Sequence, residues 1–172
     1  TDDVIIGAHS ANTNNFNAGR SYVIFGSTAG FDAELELSAI NGINGFVING
    51  EEEADFSGQS VSGAGDVNGD GIDDLIIGAY NSDHNGTDSG RAYVVFGSRS
   101  TLPSPFQLGN LSGINGFAIN SEQAGFRTGA SVSGAGDVNS DGVDDIIVSA
   151  RRADTKYGEA SGRSYIVFGR PS

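Results

Sequence analysis

Residues 60–79 read SVSGAGDVNGDGIDDLIIGA, and residues 131–150 read SVSGAGDVNSDGVDDIIVSA. Fifteen of the twenty positions are identical, at a constant offset of 71. Each copy closes on an apolar run whose residues, Leu75-Ile76-Ile77 in the first, are apolar on both faces, as in a strand buried between neighbouring sheets. Just before that run lies D-x-N-x-D-G-x-x-D, a turn in which oxygen-bearing side chains recur at alternate positions. Strand, polar turn, strand is therefore the unit from which the chain is read.

Other segments keep the same period. Residues 1–8 match 72–79 and 143–150, and residues 44–49 match 115–120. Residues 20–26 match 91–97, which match 163–169 with one residue inserted in the preceding loop. The chain thus divides into the C-terminal half of a first unit (residues 1–26) and two complete units (27–97 and 98–172). Thr1 falls inside what would be the first unit's turn, so the chain reads as a processed product or a piece of a longer protein. In the middle unit the expected strands are 45–49, 59–64, 74–79 and 91–96, rich in Val, Ile, Phe and Tyr and separated by Gly, Asn, Asp and Ser. No window carries a helical stripe of useful length.

The expected fold is all-β. A four-stranded antiparallel unit cannot bury both faces alone, but stacked units can, and radial stacking gives propeller blades. Roughly ten strands make two and a half blades, short of the four to eight of a closed propeller. Part of a larger propeller, or blades completed by other copies, is the consequence. The loops 10–19, 81–90 and 153–162 are polar, differ among units, and are expected on one rim.

Composition narrows the partners. With 9 basic and 22 acidic residues the net charge is −13, which argues against nucleic acid or an anionic membrane surface. The absence of Cys rules out disulfides and thiolate metal sites. No apolar run reaches the length of a membrane span, and no signal-peptide pattern is present.

The turn carries the chemistry. Its candidate ligands are Asp66, Asn68, Asp70, the Ile72 carbonyl and Asp74, and in the second copy Asp137, Asn139, Asp141, the Val143 carbonyl and Asp145. These are positions 1, 3, 5, 7 and 9 of a loop with Gly71 or Gly142 at position 6, where a sharp turn is needed. Oxygen-only ligands on a flexible loop suit Ca²⁺, giving two expected sites. Two carboxylates about 5 Å apart repel by roughly 3 kcal/mol at an effective dielectric of 20, which a cation reverses. An EF-hand is excluded, because position 12 is Ile77 or Val148 rather than Glu and apolar β sequence follows directly.

These elements together resemble the FG-GAP repeat of the integrin α-subunit N-terminal β-propeller and related bacterial surface proteins. The FG element stands as Phe25-Gly26, Phe96-Gly97 and Phe168-Gly169. The GAP element is degraded to Gly7-Ala8-His9, Gly78-Ala79-Tyr80 and Ser149-Ala150-Arg151. The resemblance implies a seven-bladed propeller, Ca²⁺ in a hairpin loop at the rim, and an adhesive or ligand-binding role. Seven blades need some 500 residues, so closure within this chain is not expected; in the first unit only Asp3 of the ligand set is present.

Catalytic patterns are weak. Gly63-Ala64-Gly65 lacks the third glycine and the helix of a dinucleotide loop, and Ser60 and Ser62 form no nucleophile elbow. His9 and His84 occupy non-equivalent positions, a strand end and a polar loop. Arg20, Arg91 and Arg163 recur at the start of one strand in every unit and are expected to pair with a neighbouring acid. The sequons at Asn85 and Asn110 are no more than chance supplies in so Asn- and Ser-rich a chain. The expectation is a non-enzymatic, Ca²⁺-binding module of a secreted or cell-surface protein that recognises a protein or glycan. A carbohydrate-binding propeller and an accessory domain of a larger secreted hydrolase are the alternatives.

Overall fold

The computed structural model describes residues 1–156 and 158–171. The strands in chain order are β1 (Val4–Ala8), β2 (Arg20–Ile24), β3 (Gly45–Asn49), β4 (Ser60–Gly65), β5 (Asp74–Ala79) and β6 (Arg91–Val95). They continue with β7 (Phe106–Gln107), β8 (Gly116–Asn120), β9 (Thr128–Gly136), β10 (Asp145–Ala150) and β11 (Arg163–Val167). The only helical elements among the described residues are two three-residue 3₁₀ turns, Leu37–Ala39 and Leu108–Asn110. No helix of the described residues is long and apolar enough to cross a membrane.

The strands form three blade-like sheets, ordered β1-β2-β3-β7, β4-β5-β6-β8 and β9-β10-β11. Within these sheets the described strands pair antiparallel, except for the two-residue parallel addition of β7 to β3. The all-β, propeller-type expectation is met. The phase of the sheets, however, differs from that of the sequence repeat. The first strand of each unit, β3 or β8, closes the preceding sheet, and the chain then crosses to begin the next one at β4 or β9. Each sheet boundary is thus spanned by covalent chain as well as by packing.

Alternation builds the core between sheets. On β5 and β6, Ile77, Ala79, Tyr93 and Val95 face the first sheet, where they meet Val23, Phe46 and Ile48. Their neighbours Ile76, Ala92 and Val94 face the third sheet and meet Val132, Ile146 and Val148. A period of two with both faces apolar is what a central blade requires. The doubly apolar reading of Leu75-Ile76-Ile77 follows from this position: Ile76 and Ile77 are fully buried.

Close approach between sheets is set by glycine. A Cβ on Gly7 or Gly78 would lie 2.0 Å from the carbonyl oxygen of Gly58 or Gly129, on the following sheet. The third unit carries Ser149 at that position, where its hydroxyl accepts the Ser131 N–H at 2.9 Å within its own sheet. Two of the recurrent arginines pair with an acid as expected, Arg91 with Glu51 at 2.6 Å and Arg163 with Glu122 at 2.9 Å, whereas Arg20 Nε donates to the amide oxygen Asn49 Oδ1 at 2.9 Å.

Candidate metal centre

Both loops are hairpin turns. The first joins β4, ending at Gly65, to β5, starting at Asp74, and the second joins β9 to β10. Alternating Asp and Asn fold such a turn by accepting its own amides. Asp66 accepts the Asp70 N–H at 3.0 Å through Oδ1 and the Gly71 N–H at 2.7 Å through Oδ2. Asn68 Oδ1 also accepts the Asp70 N–H, and Asp70 Oδ1 accepts the Ile72 N–H, each at 2.9 Å. The second loop repeats every bond: Asp137 to the amides of Asp141 and Gly142, Asn139 to Asp141, and Asp141 to Val143. Gly71 and Gly142 adopt φ of +80° and +91°, the left-handed turn expected of position 6.

Position 9 does something different. Asp74 and Asp145 are fully buried. Asp74 accepts the Val67 N–H at 3.0 Å and the Gly97 N–H at 2.8 Å. Asp145 accepts those of Val138 and Gly169, both at 2.9 Å. In the first unit Asp3 accepts the Gly26 N–H at 2.8 Å. The glycine of each Phe-Gly pair is therefore the partner of the last loop aspartate. A Cβ there would stand 2.3 Å from the carbonyl oxygen of Asp2, Asp73 or Asp144, so the strand end can meet the loop only as glycine.

Within the first loop the carboxylates act on one another. Burial pushes the Asp74 carboxyl up to about 6; the Gly97 and Val67 amides pull it back, and Asp70 and Asp66 push it further up. The ion pairs Arg91–Glu51, Arg127–Asp88 and Arg163–Glu122 lie away from both loops.

Among the described residues no three acidic or histidine side chains close on a common point. Asp66 and Asp70 turn to loop amides, and Asp74 turns inward to Val67 and Gly97. The donor chemistry nevertheless fits a hard cation. A carboxylate oxygen that accepts one N–H keeps a second acceptor site, and Arg91, Arg127 and Arg163 are paired elsewhere.

A further contributor, Asp144, escaped sequence reading. Its Oδ2 accepts the Asp66 N–H at 2.9 Å and its own N–H donates to the Asp66 carbonyl at 3.1 Å, while Arg170 N–H donates to the Val67 carbonyl at 2.9 Å. The third sheet thus clamps the loop of the second. The repeated Asp-Asp doublet, 73–74 and 144–145, was the available signal. The other candidates play no part in either loop: His9 is exposed beside Phe56, ring centroids 6.1 Å apart, and His84 is exposed in the 81–90 loop. Of the loop at 153–162, Tyr157 lies outside the described residues.

Comparison with known proteins agrees with this architecture. The FG-GAP repeat profile matches residues 57–95 and 128–167, each span running from just before or at the inner strand, through the loop, to the strand that precedes Phe-Gly. The chain is similar to integrin alpha-5 of Xenopus laevis, 34% identical over 129 residues, which is 72% of this chain and 11% of that protein. It is also similar to integrin alpha-IIb of Homo sapiens, 33% identical over 125 residues, and of Mus musculus, 31% over 128 residues, in each case 70% of this chain and 11% of the relative. The chain therefore spans about one-tenth of the length of the curated relatives it matches.

Proposed function

Because the chain belongs to the FG-GAP repeat proteins, we propose that it is a Ca²⁺-binding β-propeller module that works by holding a protein partner rather than by catalysis. The observation that carries the reading is the duplicated loop, in which every internal hydrogen bond of residues 66–72 recurs in residues 137–143. One ion per loop would take the remaining acceptor sites of Asp66, Asn68 and Asp70, with the Ile72 carbonyl and Asp74; Asp137, Asn139, Asp141, the Val143 carbonyl and Asp145 would hold the second. The ion neutralises the loop carboxylates and so ties each hairpin together at the end of its sheet.

An adhesive role at the cell surface or in the extracellular space follows from the same reading. The relatives named above are integrin α-subunits, and extracellular Ca²⁺ modules typically bind at around 10⁻⁴ to 10⁻³ M, a level the cytosol does not supply. Thermal unfolding in rising CaCl₂ against EGTA tests the proposal. At a hundredfold excess over Kd each site should add about 2.7 kcal/mol. A melting temperature indifferent to both CaCl₂ and EGTA would refute it.

A further inference from the structure

The loop 66–74 lies in the second sheet, but the leg that leads into it is bonded to the third. Asp66 N–H donates to Asp144 Oδ2 at 2.9 Å, and Asp144 N–H donates back to the Asp66 carbonyl at 3.1 Å. One residue on, Arg170 N–H donates to the Val67 carbonyl at 2.9 Å. A Cβ on Gly65 would collide with the Asp144 carboxylate, so glycine there, at φ +72°, makes the room in which that carboxylate sits. The Val67 side chain, 3% exposed, is buried in one core cluster with Val132, Ile146 and Val148 of the third sheet.

The same leg sets the two outer ligand positions of the loop. Asp66 is position 1, and its carboxylate folds the turn by accepting the Asp70 and Gly71 amides. Asp74 is position 9, and it reaches the leg through the Val67 N–H at 3.0 Å. A shift of residues 65–67 therefore displaces position 1 against position 9, and with them the acceptor sites left for an ion. A hard cation needs several such oxygens to converge. Groups that hold ligands in place without touching the metal govern its affinity for that reason.

Building on the calcium reading of this loop, we propose that Asp144 is a positioning residue for the ion held by the neighbouring sheet, and that the ion in turn locks the junction between the second and third sheets. Asp144 grips Asp66 through both its N–H and its carbonyl. Without that grip the ion alone must order the leg, and its affinity falls. Reciprocity follows from linkage: whatever the junction contributes to ion binding, the ion returns to the junction. The cation is then a fastener between adjacent repeats as well as a clip within one hairpin.

The test is calorimetric titration with CaCl₂ of the EGTA-stripped full chain carrying Asp137→Ala, which leaves loop 66–74 to bind the ion. Adding Asp144→Ala should weaken binding about tenfold or more, as loss of an outer-shell partner does. Asp144→Asn keeps an oxygen acceptor for the Asp66 N–H and should restore most of the affinity. Arg91→Ala, which loosens the contact with Glu51 of the first sheet instead, should leave the affinity unchanged. In the Asp137→Ala chain, deuterium exchange at the Asp66 and Asp144 amides, read by NMR, should slow when CaCl₂ is added. Unchanged affinity in Asp144→Ala, an Asn variant as weak as the Ala variant, or an equal loss in Arg91→Ala overturns the proposal and leaves calcium binding by the loop standing. Exchange at the two amides indifferent to CaCl₂ overturns it as well, whether or not the Asp144 variants fold. No bound ion in the Asp137→Ala chain overturns the calcium reading and the proposal together.

Discussion

Replacing Gly78 by Ala tests how the sheets are spaced. The new methyl would stand 2.0 Å from the Gly129 carbonyl oxygen and 3.0 Å from its carbon. Carbon–oxygen contacts close at about 3.3 Å, so β5 and β9 would have to part by roughly 1.3 Å. The core cluster of Ile76, Val94, Val132, Ile146 and Val148 lies across that junction, and a gap of even 0.5–1 Å forfeits about a quarter to a half of each dispersion contact. Overpacking of this kind costs about 1–3 kcal/mol, against a gain of roughly 0.4–1 kcal/mol from stiffening the unfolded chain. At about 2–4 °C per kcal/mol for a protein of this size, a net loss of about 1–2 kcal/mol lowers the melting temperature by roughly 2–8 °C. Gly63→Ala is the matched control, since it adds the same methyl to the neighbouring strand in open space; it should be neutral or slightly stabilising. Differential scanning calorimetry of the two variants decides. Equal shifts would refute the claim that Gly78 sets the approach of the sheets.

Three other outcomes follow from the same contacts. Asp144→Ala removes the acceptor of the Asp66 amide and should cost about 1–2 kcal/mol in urea unfolding, whereas Asp73→Ala, its exposed twin, should cost nothing measurable. Burial pushes Asp55 up to about 7, with the Glu52 amide pulling it back and Glu52, Glu51 and Asp83 adding to the rise. The folded protein therefore holds a proton that the unfolded chain, titrating near 3.8, has released; stability falls as pH rises from about 4 to about 7 and is flat above. Asp55→Asn should remove that part of the slope in melting temperature against pH. Arg91→Ala leaves Glu51 and the Tyr93 hydroxyl paired only with each other and should destabilise by about 2 kcal/mol in urea unfolding; Arg163→Ala, at an exposed pair, should shift the midpoint far less.

Much of the fold is legible in the residues, because a period of 71 with apolar alternation locates strands to within a residue: the expected 74–79 and 45–49 are the observed β5 and β3. Phase is not legible. A repeat shows its period but not which strand begins a sheet, and only pairing reveals that 45–49 closes the sheet before it. The degraded GAP element also gains its meaning from packing, since Gly78 faces Gly129 at a distance no side chain tolerates while Ser149 satisfies an amide in its own sheet. In the loops, the alternating Asp and Asn positions announce an oxygen-lined turn. Nothing local shows that Asp74 reaches across to Gly97 or that Asp144 reaches the neighbouring loop, because both partners are distant in sequence. Asp55 is a similar case: its twin in the next unit is the core residue Phe126, and only burial reveals a carboxyl in that place.

Calcium stoichiometry bears most directly on what the duplicated loop is for. Isothermal calorimetry of the full chain, stripped with EGTA and titrated with CaCl₂, should give two bound ions, falling to one with Asp66→Ala or Asp137→Ala alone and to none with both. Absence of heat in the unaltered chain, or two ions retained in the double variant, would contradict calcium binding by these loops.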